Sequence, residues 1–247
     1  MSTLQLSRKD QIEQTATALF KSRGYAATSM RDLATELGLE AASLYSHIKS
    51  KEEILQRICF RMANEFFEGL ETAEKTPGNS TQKLEAAIKS HLSVLTKQPA
   101  ASAVFQNEWK HLSEPFLSDF LKLRNDYENH FRQIIKEGNA SGEFMVSDEK
   151  MATLMLLSSL NFVHAWYKPE GKLSPEQISE TLTNMLLNGI VSAQKSQQTE
   201  PENFAVRDLQ IPNHTDGDVY IPAQKASGFE KPKEQLKNIH QNWTHNF

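Results

Sequence analysis

The chain has 247 residues, 38% of them hydrophobic and 23% charged, with a net charge of −4. That length can bury a full core without staples, and a lone cysteine, Cys59, excludes an intrachain disulfide framework. The opening Leu4-Gln-Leu-Ser-Arg-Lys-Asp lacks the apolar core and cleavage site of a secretory signal, so a soluble protein of a reducing cytoplasm is expected.

Residues 8–23 place Ile12, Ala16, Leu19 and Phe20 on one helical face, and Gly24 ends that helix. Ser29 with Asp32 marks the start of a second helix, with Thr28 as the other candidate cap. Leu33, Ala34 and Leu37 supply its buried face, and Gly38 can take the left-handed conformation that closes it. A third, short helix over about Glu40 to His47 turns Leu44 and Ile48 inward. Lys51 then opens a long fourth helix, which runs to about Glu74 before Pro77-Gly78-Asn79 breaks it.

Further helices are predicted over about 80–97, 100–112, 115–137, 148–167 and 174–195. The last has Ser174 as N-cap, Pro175 in the first turn and Gln177 closing a capping box. The uncharged run Met151 to Tyr167 is too short and too polar to span a membrane and reads as a helix buried inside the protein. No strand or solenoid repeat is evident, so the expected class is all-α. After about Lys195 the composition turns rich in Gln, Asn, Asp and Pro, as in a disordered or loosely draped extension. Phe204, Ile211, Tyr220, Phe229 and Trp243 are apolar anchors that a partner or the protein's own body could receive.

Two short helices joined by a glycine turn form a helix-turn-helix, which inserts the front of its second helix into the DNA major groove. Ala41, Ala42, Ser43, Tyr45, Ser46 and His47 are the groove-facing set. The serines can bond base edges or phosphates, the alanines touch thymine methyls, and Tyr45 and His47 suit phosphate oxygens. Arg31 and Lys51 are natural phosphate clamps, Lys51 being also at a helix start that attracts an anion. No Arg, Asn or Gln lies in the reading helix, so direct base readout is modest. Charge divides accordingly: residues 1–61 carry nine basic against seven acidic side chains, the remainder 18 against 24.

Ala18-Leu-Phe, Gly24-Tyr, Thr28-Ser-Met-Arg-Asp-Leu-Ala, Leu37-Gly, Ser43-Leu-Tyr-Ser-His and Lys49-Ser-Lys-Glu-Glu-Ile54 together resemble the N-terminal domain of TetR-family transcriptional regulators. The resemblance covers about residues 7–60. It implies an all-α homodimer with an N-terminal three-helix DNA-binding domain (5–65), a helical ligand-binding and dimerisation domain (66–195) and a polar extension (196–247). It also implies a palindromic double-stranded DNA operator, repression relieved by a small molecule, and DNA contacts at Arg31, Ser43, Tyr45, His47 and Lys51. Two positions depart from the family pattern: Glu40 replaces the usual cap of the third helix, and Ile48 stands where an aromatic is common.

In the second domain, Glu108, Trp109, Phe120, Tyr127, Asn161, His164 and Trp166 are candidates for an apolar pocket with a few polar groups, against a bland reading as ordinary core. Asn161-Phe-Val-His-Ala-Trp-Tyr-Lys-Pro-Glu-Gly-Lys-Leu-Ser174 resembles family members that sense acyl-coenzyme A esters or related lipid metabolites. Arg124, Arg132, Lys122 and Lys168 are candidate phosphate partners for such an effector. Leu154, Leu157, Phe162, Ile178, Leu182, Leu186 and Ile190 mark the expected dimer surface. The eight histidines show no metal spacing, and no Gly-rich phosphate loop or GxSxG elbow occurs, so neither metal, cofactor nor catalysis is expected. A different class of function remains open: a helix-turn-helix protein acting mainly as an interaction module through its C-terminal extension.

Overall fold

A computed structural model describes residues 6–188. The expectations for 196–247, and for the final helix beyond Asn188, lie outside the described residues. Among those described there is no strand, and the helices run α1 (Arg8–Arg23), α2 (Met30–Glu36), α3 (Ala41–Tyr45), α4 (Lys51–Glu74), α5 (Ser80–Lys97), α6 (Pro99–Asn107), α7 (Phe116–Ala140), α8 (Glu149–Trp166) and α9 (Pro175–Asn188). A single 3-10 turn, Trp109–His111, separates α6 from α7.

Local chemistry sets the boundaries. Ser29 and Asp32 form a reciprocal capping box at α2, while Thr28 is buried and donates its hydroxyl to the Gly24 carbonyl. Ser174 and Gln177 exchange the bonds expected of them ahead of α9. Glu40 makes no side-chain cap bond, and α3 is trimmed to five residues. The predicted helix 100–112 is interrupted at Glu108, where α6 gives way to the 3-10 turn.

The first three helices close on Ile12, Ala16, Phe20, Leu33, Ala34, Leu44 and Ile48, all at most 3% exposed. α4 completes this small core with Ile54, Leu55 and Ile58, and continues unbroken to pack Met62, Phe66 and Leu70 against the later helices. Polar ties hold the junction. Glu13 on α1 accepts from Arg57 Nε at 3.0 Å and Arg61 Nε at 2.9 Å, and Arg61 also donates to Gln98 Oε1 at 2.6 Å. Cys59 is wholly buried, with its thiol pKa raised by desolvation, so it acts as a small core residue.

One expectation is corrected. α8 is not buried all round: Leu156, Leu160 and Val163 face inward, but Met151, Met155, Phe162 and Trp166 are 57, 65, 64 and 44% exposed. A helix can press only one face on its neighbours, and this run is apolar on more than one. Leu173, and Met185 on α9, are also exposed apolar side chains. Among the described residues no helix is long and apolar enough to cross a membrane.

Candidate nucleic-acid interface and effector cavity

The turn between α2 and α3 depends on Gly38, whose φ of +63° lies in the left-handed region that side chains disfavour. There Gly38 N donates to the Thr35 carbonyl and Leu39 N reaches back to the Ala34 carbonyl at 2.8 Å, closing α2 and swinging α3 across it. Leu44, fully buried, plugs α3 into the core. That burial is worth about 1.5–3 kcal/mol and fixes which face of α3 is left outside.

That outer face carries Ala42, Ser43, Tyr45 and Ser46, all exposed, with Ala41 and His47 half-buried at its edges. Tyr45 is 52% exposed, an unusual amount for a tyrosine with no core to fill. Ser46 Oγ donates to the Ser43 carbonyl, so its hydroxyl can reach outward only as an acceptor. Arg31 is exposed on the first turn of α2.

Lys51 holds a different post from the other seven. Its ammonium donates to the carbonyls of Tyr25 (2.8 Å) and Thr28 (2.7 Å) and lies 4.1 Å from the Tyr25 ring centroid, leaving one of three N–H donors for other work. It therefore clamps the α1–α2 turn as well as standing beside the reading surface. The start of α4 is already capped by Ser50 and carries Glu52 and Glu53, which compete with any incoming anion.

Behind the reading unit, Tyr25 joins it to the 3-10 turn. Its N–H donates to Glu108 Oε2 at 3.3 Å and its ring stacks on His111 at 5.1 Å; burial, then Glu52, pushes its hydroxyl pKa to about 12. Ser113, just past that turn, donates from N and Oγ to Glu52 on α4. Two acidic side chains thus tie the turn to both ends of the reader's base.

A cavity of about 330 Å³ opens between α4, α5, α6, α7 and α8. Its walls combine the rings of Phe66, Phe105 and Phe120 with polar side chains such as Gln106 and Asn125, and Phe105 and Phe120 are in edge contact at 5.3 Å. Of the predicted pocket residues it gathers Phe120, Tyr127 and Asn161. Trp109 stands one layer out, stacked on Phe120 with the Arg124 guanidinium 4.7 Å from its ring. Arg124 and Asn125, both exposed, mark the rim.

The other three do not line the cavity. Glu108 faces Tyr25 and the reader, because the break after α6 redirects it. His164 is turned back on its own helix, its Nδ1 bonded to the Asn161 carbonyl, and Trp166 lies near the helix end, 44% exposed. Among the candidate phosphate partners only Arg124 borders the opening; Arg132 is engaged with Glu128 and Asn129.

His91 and Gln106 are among the cavity residues that escaped the sequence reading. His91 on α5 is fully enclosed, and Gln106 on α6 donates to Asn161 Oδ1 at 2.6 Å. A signal for His91 existed: it falls on the apolar face of α5 beside Leu84, Ile88, Leu92 and Leu95, where a titratable side chain is out of place.

A short helix plugged by one leucine, offered on a glycine turn and backed by a helical body with an aromatic cavity, defines a DNA-binding regulator of the helix-turn-helix class. Residues 12–58 match the model for bacterial regulatory proteins of the tetR family, and residues 77–190 that for the tetracyclin repressor-like C-terminal domain. The chain is 30% identical over 190 residues to the HTH-type transcriptional repressor KstR2 of Mycolicibacterium smegmatis, covering 76% of this chain and 93% of that one. The crystal structure of the TetR-family regulator PfmR from Thermus thermophilus superposes with a TM-score of 0.68 at 30% identity, over 74% of this chain and all of that one. AibR, solved with isovaleryl coenzyme A and operator DNA, shares the fold at 24% identity and a TM-score of 0.66, over 73% of this chain and 98% of that one. The chain belongs to the TetR family. It is a DNA-binding transcriptional regulator and not an enzyme.

Proposed function

We propose that the protein is a cytoplasmic homodimeric repressor that leaves a palindromic operator when a hydrophobic or acyl-coenzyme A effector fills the cavity between α4 and α8. Arg31, Ala41, Ala42, Ser43, Tyr45, Ser46, His47 and Lys51 are its DNA-contacting set. Residues 5–65 serve as reader and 66–195 as sensor and dimer surface, with α4 shared between them.

The observation that carries this reading is physical continuity. Phe105 and Gln106 form part of the cavity wall, and Glu108, two residues on, holds the Tyr25 N–H. The Tyr25 carbonyl in turn accepts from Lys51, at the edge of the reading surface. A ligand that moves α6 by a fraction of a turn therefore pulls on the reader's base, provided it binds the two arrangements unequally. The exposed Met155, Phe162 and Trp166 supply the apolar face that a second subunit would cover, and two readers about 34–36 Å apart reach successive major grooves. Arg124 at the rim suits an anionic head outside and an apolar tail within. The AibR complex, on the same fold, holds both an acyl-coenzyme A and operator DNA.

The test is selection of bound fragments from random DNA, followed by titration of the complex with acyl-coenzyme A esters, free fatty acids and aromatic acids. Release by one of these classes is the expected result. Tight effector binding with unaltered operator affinity would refute the coupling.

A further inference from the structure

On the cavity wall, the His91 ring has one nitrogen that makes no close hydrogen bond. His91 is 3% exposed and packs its ring on Phe66 at 4.7 Å. Its Nδ1 lies 3.0 Å from the Tyr127 hydroxyl, and its Nε2, equally buried, has no hydrogen-bond partner. Such a group carries its desolvation cost for as long as it stays unpaired, so an occupant that pairs it gains by contrast.

The partner's chemistry follows from the proton count. If Tyr127 donates to Nδ1, the ring proton sits on Nε2 and a single donor is left unpaired. If instead Nδ1–H donates to Tyr127, both the phenol hydrogen and Nε2 are orphaned. The first arrangement strands fewer groups; the Asn161 side chain favours the charged ring as a whole and does not choose between the two tautomers. Burial outweighs that pull and drives the imidazole pKa down to about 4, so the ring stays neutral near pH 7. A neutral N–H donor buried against Phe66 and Tyr127 suits an uncharged acceptor; a carboxylate brought to it would lose its hydration to a donor that carries no charge.

Resting on the effector reading above, we propose that His91 Nε2–H donates to a neutral carbonyl oxygen of the effector. The sensor thereby selects ligands with a ketone, ester or thioester carbonyl embedded in an apolar body over their saturated counterparts. Tyr127 is the positioning residue that fixes the tautomer. Arg124, at the rim, is left for whatever negative charge the ligand keeps outside. The chamber lies near the lower end of the usual range of about 300–1,000 Å³, so the buried part is short or compact.

The decisive comparison is hexanoyl-coenzyme A against its thioether, S-hexyl-coenzyme A, which lacks only the carbonyl oxygen, each titrated calorimetrically into the full chain. The thioester should bind about tenfold more tightly, one hydrogen bond's worth. H91L should bring the ratio close to one, H91Q, whose amide can donate, should restore part of it, and Y127F should weaken it. Equal binding of the two ligands by the wild-type protein, or an undiminished ratio in H91L, overturns the assignment while leaving the effector class standing. Failure of both to bind removes the coenzyme A reading instead. Long-range ¹H–¹⁵N spectra of the ligand-free protein then decide the present one. Nε2–H and no protonation down to pH 5 support it; Nδ1–H, or titration near 6.5, overturns it.

Discussion

The reader and the sensor of this protein solve opposite problems. The reader keeps its useful side chains outside: Leu44 and Ile48 are spent on anchoring, and Ser43, Tyr45 and Ser46 stand in solvent. The proposed sensor keeps its candidate side chains inside, where Phe66, Phe120 and His91 serve as core and as cavity wall at once. Substitutions should therefore separate function from stability in the first region and confound them in the second.

The largest expected effect tests the second half of that contrast. Phe120→Ala removes a fully buried ring that touches Phe60, Phe105 and Trp109, and should cost about 3–5 kcal/mol in chemical denaturation. A loss below about 1 kcal/mol would mean the cavity wall is not also core.

Acid comes next. His91, with its pKa near 4, stays neutral in the folded chain while an unfolded histidine takes a proton near 6.5. Stability should thus fall as pH drops from about 6.5 toward 4, by up to about 3 kcal/mol. His130 works in the opposite sense. Its bond to Glu74 Oε1 at 2.7 Å raises its pKa, so its contribution is complete below 6.5 and fades as pH rises through the raised value. Melting temperature against pH should lose its acid limb in H91Q and its near-neutral slope in H130Q; the reverse assignment would break the argument.

Lys51 is the exception inside the reader, since it serves structure as well as surface. Lys51→Ala should cost about 1–3 kcal/mol by stranding the Tyr25 and Thr28 carbonyls, and should also weaken binding to all DNA sequences with a shallower salt dependence. Tyr45→Ala gives the clean case: DNA affinity down about tenfold, with stability changed by no more than about 0.5 kcal/mol. Smallest of all, Ser43→Ala should leave affinity for random DNA nearly intact and alter which operator bases are preferred, read by repeating the fragment selection. Equal losses on random DNA from all three would erase the distinction between clamp, phosphate contact and base reader.

The two regions also differed in how far they could be read in advance. The reader's parts lie within about 25 residues, and each signal is local. Ser29 and Asp32 cap, Gly38 turns, Leu44 plugs, and the exposed face is what remains. The sensor's walls come from five helices spread over 63–161, and periodicity says which residues face inward without saying which inward faces meet around a void. Glu108 shows the limit well: it was expected as a polar group of the pocket, but the break after α6 sent it to Tyr25 instead.

The residues alone determined the all-helical class, the helix order and the family, because capping, turn geometry and a 3.6-residue period act within one or two turns of chain. Tertiary packing alone decided that Lys51 is tied to two carbonyls, that α8 leaves an apolar face uncovered, and that a buried nitrogen of His91 is left without a close hydrogen bond beside Tyr127. Those outcomes depend on which distant surfaces exclude water from one another, and no local signal carries that information.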